Sequence, residues 1–248
     1  MLAILKPISA AAIKLIVFDL DGTLIDSRRD LATAVNAMLM QMERPELPEQ
    51  VIAEYVGDGA GMLVRRALGD PDDEALVADG LFRFLACYRE HMLDHTYVYD
   101  GVFAALDALR TVHPNTQRPR AGDPCFPDGR ERKFAVLTNK PVRPSRAICD
   151  ALGLSHYFFQ IYGGNSFGTK KPDPEGLHAL MREAGVQPEE AVMVGDSVVD
   201  VLTARNAGTF IIGCRFGLSS HTLETVPSDC LVDAPSEWAL ALDASVQR

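Results

Sequence analysis

Several features are scarce in this sequence of 248 residues, and each absence excludes a class of protein. The five cysteines are odd in number and widely spaced without a Cys-x-x-Cys pair, so neither a disulfide framework nor a zinc site is indicated. No stretch of the sequence approaches the about 20 uninterrupted apolar residues of a membrane span. We therefore expect a cytoplasmic protein without a membrane partner.

Positive charge is also in short supply. Lys and Arg total 24 against 34 Asp and Glu, which gives a net charge of -10. A diffuse negative surface repels a nucleic-acid backbone, so we expect no nucleic acid as partner. A small anion can still bind, because a few cations or a metal dominate the field at short range. The sequence does not indicate whether the chain forms a homo-oligomer.

The composition is that of an ordinary globular protein. Hydrophobic residues make up 47% and charged residues 23% of the sequence. The length allows one large domain or two unequal ones. The first twelve residues are apolar, but Lys6 and Pro7 interrupt them and no basic residues precede them, so they are interpreted as a short leader into the first strand.

Short apolar runs that end in polar or glycine-containing turns predict five buried strands. They span residues 14–18, 134–137, 160–162, 191–194 and 210–212. Helical stretches over residues 144–152, 175–184 and 198–207 separate the later strands, and Gly208 suits the C-cap of the last helix. This alternation predicts an α/β fold with a doubly wound parallel sheet.

Residues 25–97 break that rhythm, because they show helical patterns and no convincing strand. One apolar stripe of helical spacing follows Ser27, a candidate N-cap, and a second runs from Leu81 to Met92. The sequence thus predicts a helical cap over residues 25–97, inserted into a core of residues 1–24 and 98–248. Residues 113–132 contain four prolines and little apolar content, and we expect an irregular insert there.

Polar residues follow four of the predicted strands. Asp19 and Asp21 end the first strand, and their two-residue spacing places both carboxylates on one side. Thr138 and Asn139 end the second strand. Each pair has an ordinary alternative interpretation, because Asp, Gly, Thr and Asn are common in turns and helix caps.

The third and fourth strands are followed by further charged residues. Lys171 comes after the third strand, between Lys170 and Pro172, where a solvated turn is the alternative interpretation. Asp196 ends the fourth strand and Asp200 follows one helical turn later, where helix capping is the alternative.

The combination is more specific than its parts. The carboxyl ends of parallel strands open onto one crevice, so a single sheet brings these side chains together. Three carboxylates suit a hard divalent cation, and a lysine and a hydroxyl remain for an anionic group. The simplest ligand is a phosphoryl group beside a metal.

These motifs resemble those of the haloacid dehalogenase superfamily. The resemblance rests on Asp19-Leu20-Asp21-Gly22-Thr23, Thr138-Asn139-Lys140, Lys171-Pro172 and Gly195-Asp196-Ser197-Val198-Val199-Asp200. Within the superfamily the chain is most similar to the phosphoglycolate phosphatases, also through Val56-Gly57-Asp58-Gly59. Two departures are the long insert over residues 113–132 and the loose match after Gly213.

The resemblance implies a magnesium-dependent phosphatase that hydrolyses a small phosphate monoester, with 2-phosphoglycolate preferred. Asp19 is then the nucleophile and Asp21 the general acid and base. Mg²⁺ is expected on Asp19, Asp196 and the backbone carbonyl of Asp21.

The remaining residues receive binding roles. We expect the phosphoryl group to be bound by Thr138, Asn139 and Lys171. We expect Asp200 to hold the metal ligands or Lys171 in place without contacting the substrate. Arg66, in the cap, is a candidate for the substrate's distal carboxylate, with a solvated helix face as the alternative for both Arg65 and Arg66.

Three other functions remain open at this point. A sugar phosphomutase has the same core and differs in its cap contacts. A carbon–halogen hydrolase has no obvious use for a proton donor at Asp21. A receiver-like phosphoacceptor signalling module gathers similar residues but needs no cap.

His91 and His95, four residues apart on a predicted helix, lack an apparent third metal ligand.

Overall fold

The strand over residues 15–18 is buried on both faces and lies inside a seven-stranded sheet, with a neighbouring strand on each side. The structure is a computed structural model that describes residues 2–110 and 132–243. Its strands are β1 Ala3–Ile4, β2 Leu15–Phe18, β3 Ile25–Asp26, β4 Tyr97–Val98, β5 Lys133–Leu137, β6 Gln160–Tyr162, β7 Ala191–Gly195, β8 Phe210–Cys214 and β9 Cys230–Val232. Its helices are α1 Arg28–Gln41, α2 Glu49–Glu54, α3 Ala60–Ala67, α4 Glu74–His91, α5 Val102–Arg110, α6 Val142–Ala151, α7 Glu175–Ala184, α8 Val198–Ala207 and α9 Trp238–Asp243.

The seven strands lie in the order β1-β9-β8-β7-β2-β5-β6. All neighbouring pairs are parallel except β1 with β9, in which Ala3 pairs with Leu231. The five predicted strands are confirmed, and so is the mainly parallel sheet. The antiparallel edge strand β1 and its partner β9 were not predicted, so the leader assigned to the first twelve residues contains a strand.

Both faces of the sheet are covered by helices. Ile16 and Phe18 of β2 point into one hydrophobic cluster with α5, α6 and α9, whereas Leu15 and Val17 point into another with α7 and α8. Strands buried on both faces are typical of doubly wound sheets. Helix α6 begins at Val142, two residues before the predicted start, and Gly208 ends α8 in the left-handed conformation, as expected.

Helices α1 to α4 pack around a hydrophobic cluster of their own. We call residues 28–91 the helical cap. The chain enters and leaves it through β3 and β4, which pair antiparallel so that Ile25 lies opposite Val98. The expectation of no strand within residues 25–97 is therefore wrong at both ends, where two-residue strands are too short to produce a periodic signal.

Other expectations concern single segments. Residues 113–131 of the expected insert lie outside the described residues. Arg132, which follows them, is buried and donates hydrogen bonds to the carbonyl oxygens of Ala10, Ile13 and Leu109. In the part of the chain that the structure describes, we find no helix with the length and apolar character needed to cross a membrane.

Candidate active site

A tight turn places the first two acidic residues at the carboxyl end of β2. The backbone N–H of Asp19 continues the sheet by donating to the carbonyl of Val194 at 2.9 Å. Gly22 then adopts a φ of +88°, and a Cβ at this position would collide with the carboxylate of Asp196. Glycine at position 22 therefore permits both the turn and the close approach of Asp196, the residue that follows β7.

Asp19 lies in a buried cluster of charged groups. The ammonium of Lys171 is 2.8 Å from Oδ1 of Asp19 and 2.6 Å from Oδ1 of Asp200. Asp19, Asp196 and Asp200 each offer a carboxylate oxygen, and these oxygens lie within 4.8 Å of one another. Strands β2 and β7 and the loop after β6 thus bring together the residues that the sequence placed at one crevice.

Neighbouring groups hold the members of this cluster in place. Ser219 donates its backbone N–H to Asp196 Oδ2 at 2.9 Å, and Ser197 donates its N–H and its hydroxyl to Asp200 Oδ2 at 3.0 and 2.7 Å. Asp200 is therefore fully bonded, with one oxygen on Lys171 and the other on Ser197. With both oxygens bonded, Asp200 is placed to support Lys171 rather than to bind a metal directly.

Burial shifts the pKa values of the acids. Burial is the main cause that raises the pKa of Asp19 to about 6, and the nearby carboxylates of Asp200 and Asp21 add to it while Lys171 opposes it. The pKa of Asp196 is also well above its ordinary value, because of burial and then the charges of Asp200 and Asp19. Burial alone would lower the pKa of Lys171, but Asp19 and Asp200 outweigh it and hold that pKa above its usual range.

The donor set of this cluster fits a hard divalent cation. Three buried carboxylates lie around one ammonium, that of Lys171, so negative charge is in excess. Oxygen ligands without Cys or His are those that Mg²⁺ prefers. Asp21 contributes no carboxylate to this cluster.

The carboxylate of Asp21 instead faces Lys140. The Lys140 ammonium donates to both Asp21 oxygens, at 2.9 and 3.0 Å, and the Ser27 hydroxyl donates to Oδ1 at 2.5 Å. Lys140 is itself buried, and it lies 4.7 Å from the ring centroid of Tyr88 in α4. Sequence reasoning noted Lys140 only as part of a motif and missed Ser27 and Tyr88 as members of the site.

Thr138 and Asn139 lie between these two groups, as the strand pattern predicts. Both are buried and line the same pocket as Asp19 and Asp21. The Thr138 hydroxyl accepts the backbone N–H of Lys140 at 3.2 Å, while the Asn139 amide donates to the carbonyls of Gly57 and Lys171, each at 3.0 Å. Asn139 therefore joins the core to the cap.

Two further side chains of the core bind the same stretch of the cap. Ser219 donates its hydroxyl to the carbonyl of Val56 at 2.7 Å, and Lys170 donates to the carbonyl of Asp58 at 2.6 Å. Together with the bond from Asn139, three successive cap carbonyls accept from three separate core loops. We call these three hydrogen bonds the cap latch. It places the glycine-containing loop directly over the acidic cluster.

The pocket beneath this loop lies between cap and core and is small, with a cavity volume of about 50 Å³. Asp19, Asp21, Thr138, Asn139 and Lys140 line its polar side. Its cap side is mainly apolar, with Leu31, Leu63, Phe84 and Leu85. The pocket therefore suits a small ligand with its polar end toward the core.

The structure does not bring Arg66 to this pocket. Its guanidinium donates to the Asp58 carboxylate at 2.5 Å and to the Tyr55 carbonyl at 3.1 Å, and it is not among the residues that line the pocket. Arg65 pairs with Glu74 and with the carbonyl of Pro71. Both arginines thus stabilise the cap internally.

The two histidines do not share a metal either. His91 is paired with Asp94 at 2.8 Å, and His95 is paired with Asp30 at 3.1 Å. Among residues 2–110 and 132–243, the carboxylate cluster of Asp19, Asp196 and Asp200 is the one group of potential metal ligands.

Comparisons with known proteins agree with this geometry. Residues 13–208 match the haloacid dehalogenase-like hydrolase family. The chain is 36% identical over 228 residues to the phosphoglycolate phosphatase of Rhodospirillum rubrum, covering 89% of this chain and 87% of that protein. It is 38% identical over 229 residues to the phosphoglycolate phosphatase of Chromobacterium violaceum, covering 91% and 94%.

A solved structure shows the same likeness in three dimensions. The crystal structure of a predicted phosphoglycolate phosphatase from Haemophilus somnus superimposes with a TM-score of 0.77 at 28% identity, over 91% of this chain and 96% of that one. The chain belongs to the haloacid dehalogenase-like hydrolases. It is a phosphoric monoester hydrolase, and its sequence and structure are similar to those of phosphoglycolate phosphatases.

Proposed function

We propose that this protein is a magnesium-dependent phosphatase that hydrolyses 2-phosphoglycolate to glycolate and phosphate through an aspartyl-phosphate intermediate. The observation that carries the proposal is the buried contact of Asp19, which lines the pocket between cap and core, with Lys171 beside Asp196. The names of the relatives that are 36% and 38% identical support the substrate.

Asp19 is the nucleophile. An oxygen of its carboxylate attacks phosphorus, the P–O bond to the substrate breaks, and an acyl phosphate forms on Asp19. Lys171 and Thr138 donate to the phosphoryl oxygens. Both N–H groups of the Asn139 amide donate to the carbonyls of Gly57 and Lys171, so Asn139 positions the loop that carries Lys171. Asp200 and Ser197 fix Lys171 for this task, because Asp200 holds the ammonium at 2.6 Å while Ser197 holds Asp200.

Asp21 moves the proton. It lies two residues beyond the nucleophile on the same pocket wall, and it donates a proton to the departing alkoxide oxygen. In the second half of the reaction a water attacks the phosphorus of the acyl phosphate. Asp21 takes a proton from that water, the P–O bond to Asp19 breaks, and phosphate leaves with the Asp19 carboxylate restored.

Asp19, Asp196 and the backbone carbonyl of Asp21 would hold Mg²⁺, with Asp200 next to them. When bound, Mg²⁺ supplies positive charge that offsets the repulsion between the Asp19 carboxylate and an anionic phosphate. The excess of buried carboxylates over ammonium groups in the cluster supports this assignment.

The cap limits access of water and sets the size of the substrate. The apolar side chains of Leu31, Leu63 and Phe84 line the cap side of the pocket. Closing an active site in this manner protects an acyl phosphate from unproductive reactions. The pocket has room for a short ester rather than for a polymer.

Phosphate release from a panel of phosphate esters tests the proposal. The panel contains 2-phosphoglycolate, hexose phosphates and an aryl phosphate, assayed with Mg²⁺. We expect 2-phosphoglycolate to give the highest kcat/KM and Asp19→Asn to abolish release. Isomerisation of a sugar phosphate without net release would support a phosphomutase instead, and a stable phosphoprotein without turnover would support a signalling module.

A further inference from the structure

Tyr88 brings an unused hydroxyl into the pocket. It lies on α4 of the helical cap, is 4% exposed, and lines the pocket together with Asp21 and Lys140. Its hydroxyl is buried beside the Lys140 ammonium, which can only donate, so the O–H of Tyr88 finds no acceptor among the described residues. Buried hydroxyls usually find a partner, so an unpaired one at a pocket wall indicates a ligand that is still to bind.

The neighbour of this hydroxyl is a cation. Lys140 lies 4.7 Å from the Tyr88 ring centroid, and it carries the one positive charge among the described residues that line the pocket. An ammonium has three donors, and its contacts with the two Asp21 oxygens use two of them. A hydroxyl and an ammonium side by side suit an anionic group of the ligand.

The start of α3 adds backbone donors to the lining of the same pocket. This helix begins at Ala60 after Gly59, both residues line the pocket, and no side chain caps its N-terminus. Gly57 and Gly59 have φ values of +122° and +88°, which let the loop turn its helix toward the pocket. The cap latch holds this loop on the core. Helix N-termini attract anions through their free N–H groups and dipole.

We propose that Tyr88, Lys140 and the N-terminus of α3 form a carboxylate subsite, which selects short phosphate monoesters that carry a carboxylate close to the ester oxygen. This inference rests on the proposed function and deepens it. It assigns to Tyr88 and Lys140 the recognition that sequence reasoning gave to Arg66, whose guanidinium is bound to Asp58 outside the pocket lining. Tyr88 is a specificity residue here, because it contacts the part of the substrate that does not react.

The test compares two esters of equal length in wild type and Tyr88→Phe. One is 2-phosphoglycolate, and the other is ethyl phosphate, in which a methyl group replaces the carboxylate. A lost hydrogen bond to a charged group corresponds to a drop in kcat/KM of roughly 10- to 100-fold for 2-phosphoglycolate. Ethyl phosphate should change by less than about twofold. Inhibition by glycolate should weaken in parallel.

Tyr99→Phe is the matched control. Its hydroxyl is also buried without a hydrogen-bond partner among the described residues, but Tyr99 does not line the pocket, so both substrates should keep their rates. Thermal melting of both variants checks folding, and both should melt close to wild type because neither hydroxyl finds an acceptor among the described residues.

Two results would overturn the subsite. Equal losses on both esters would show that Tyr88 acts on the reacting end or on the cap as a whole. Unchanged kinetics with 2-phosphoglycolate would show that its hydroxyl does not meet the carboxylate. If the wild-type protein hydrolyses neither ester, the proposed function itself fails, and that outcome is distinct from both.

Discussion

The Lys140 ammonium donates hydrogen bonds to both carboxylate oxygens of Asp21, at 2.9 and 3.0 Å, although the two residues are 119 positions apart in the sequence. Asp19, only two residues from Asp21, is held by a different cation, Lys171, at 2.8 Å. The two acids therefore have separate partners and separate environments. Such a division of environments is what allows neighbouring carboxylates to take different roles in one reaction.

Substitution of each acid should separate those roles. Asp19→Asn removes the nucleophile, so no acyl phosphate should form with any substrate. Asp21→Asn removes proton transfer, which typically contributes ~10²–10⁴-fold. It should slow an alkyl phosphate by that factor and spare an aryl phosphate, whose leaving group needs little protonation. Single-turnover quench experiments measure both, and equal slowing of the two esters would contradict the role given to Asp21.

Mg²⁺ should stabilise the folded protein, and more so at neutral than at acidic pH. The pKa of Asp19 is about 6 in the folded state against an ordinary value of 3.8, so the metal-free protein loses stability as the pH rises through that interval. At about pH 7.5 the carboxylates are ionised and a cation relieves their repulsion. At about pH 5 it must first displace protons.

Thermal melting with and without Mg²⁺ measures this difference. A hundredfold excess over the Kd should raise the Tm by roughly 5–10 °C near pH 7.5. Asp196→Asn should melt higher than wild type in EDTA and lose most of the response to Mg²⁺, because one of the three crowded carboxylates is gone. Full activity after exhaustive chelation would contradict the metal assignment.

Asp30 should stabilise the end of the cap in a pH-dependent manner. Burial raises its pKa, but hydrogen bonds from the hydroxyl and N–H of Thr96 and from His95 outweigh burial and hold the pKa below 3.8. A lowered folded-state pKa contributes stability above the unfolded value, and this contribution disappears as the pH falls through the folded value. Asp30→Asn should therefore reduce the free energy of unfolding by about 2 kcal/mol near neutral pH.

Denaturant unfolding at several pH values checks the Asp30 prediction. The gap between wild type and Asp30→Asn should shrink as the pH falls below about 3.8, because the unfolded chain then binds a proton at Asp30 while the folded protein still holds the carboxylate ionised. Asp79→Asn is a suitable control, since Asp79 lies on the exposed side of α4 in a pair with Arg83. A gap that is constant over this pH range would exclude an electrostatic origin.

The cap latch should affect substrate affinity more than chemistry. Ser219→Ala removes one donor to the cap while its backbone N–H stays on Asp196. Loss of one neutral hydrogen bond is worth about 1 kcal/mol, so KM should rise about fivefold with little change in kcat. Ser228→Ala is the control, because its buried hydroxyl has no hydrogen-bond partner among the described residues. A fall in kcat alone would indicate damage to the Asp196 contact instead.

The positions of the polar residues at the sheet edge follow from sequence because strand ends can be located by apolar runs. Asp19, Thr138 and Asp196 follow such runs, and parallel pairing then brings them together. The pairing partner of β1 could not be predicted, since its two residues carry too little pattern to specify Cys230 and Leu231.

Side-chain partners in the cap were harder to predict. Arg66 has a carboxylate eight residues upstream, at Asp58, and that local partner takes its guanidinium. The cap latch leaves no sequence signal, because its acceptors are backbone carbonyls that every residue possesses. Tyr88 has the spacing of an ordinary core residue, and only the fold shows that its hydroxyl borders a pocket.

The short ribbon of β3 and β4 makes the helical cap an exchangeable module. Because Ile25 pairs with Val98, the two crossing points of the chain lie side by side and are cross-braced by backbone hydrogen bonds. An inserted segment whose two ends lie side by side disturbs the surrounding domain little, because the rest of the chain keeps its path when the segment is replaced. The α/β core can thus carry caps of different shape. Changes confined to the segment between these two strands then alter which substrates fit the pocket.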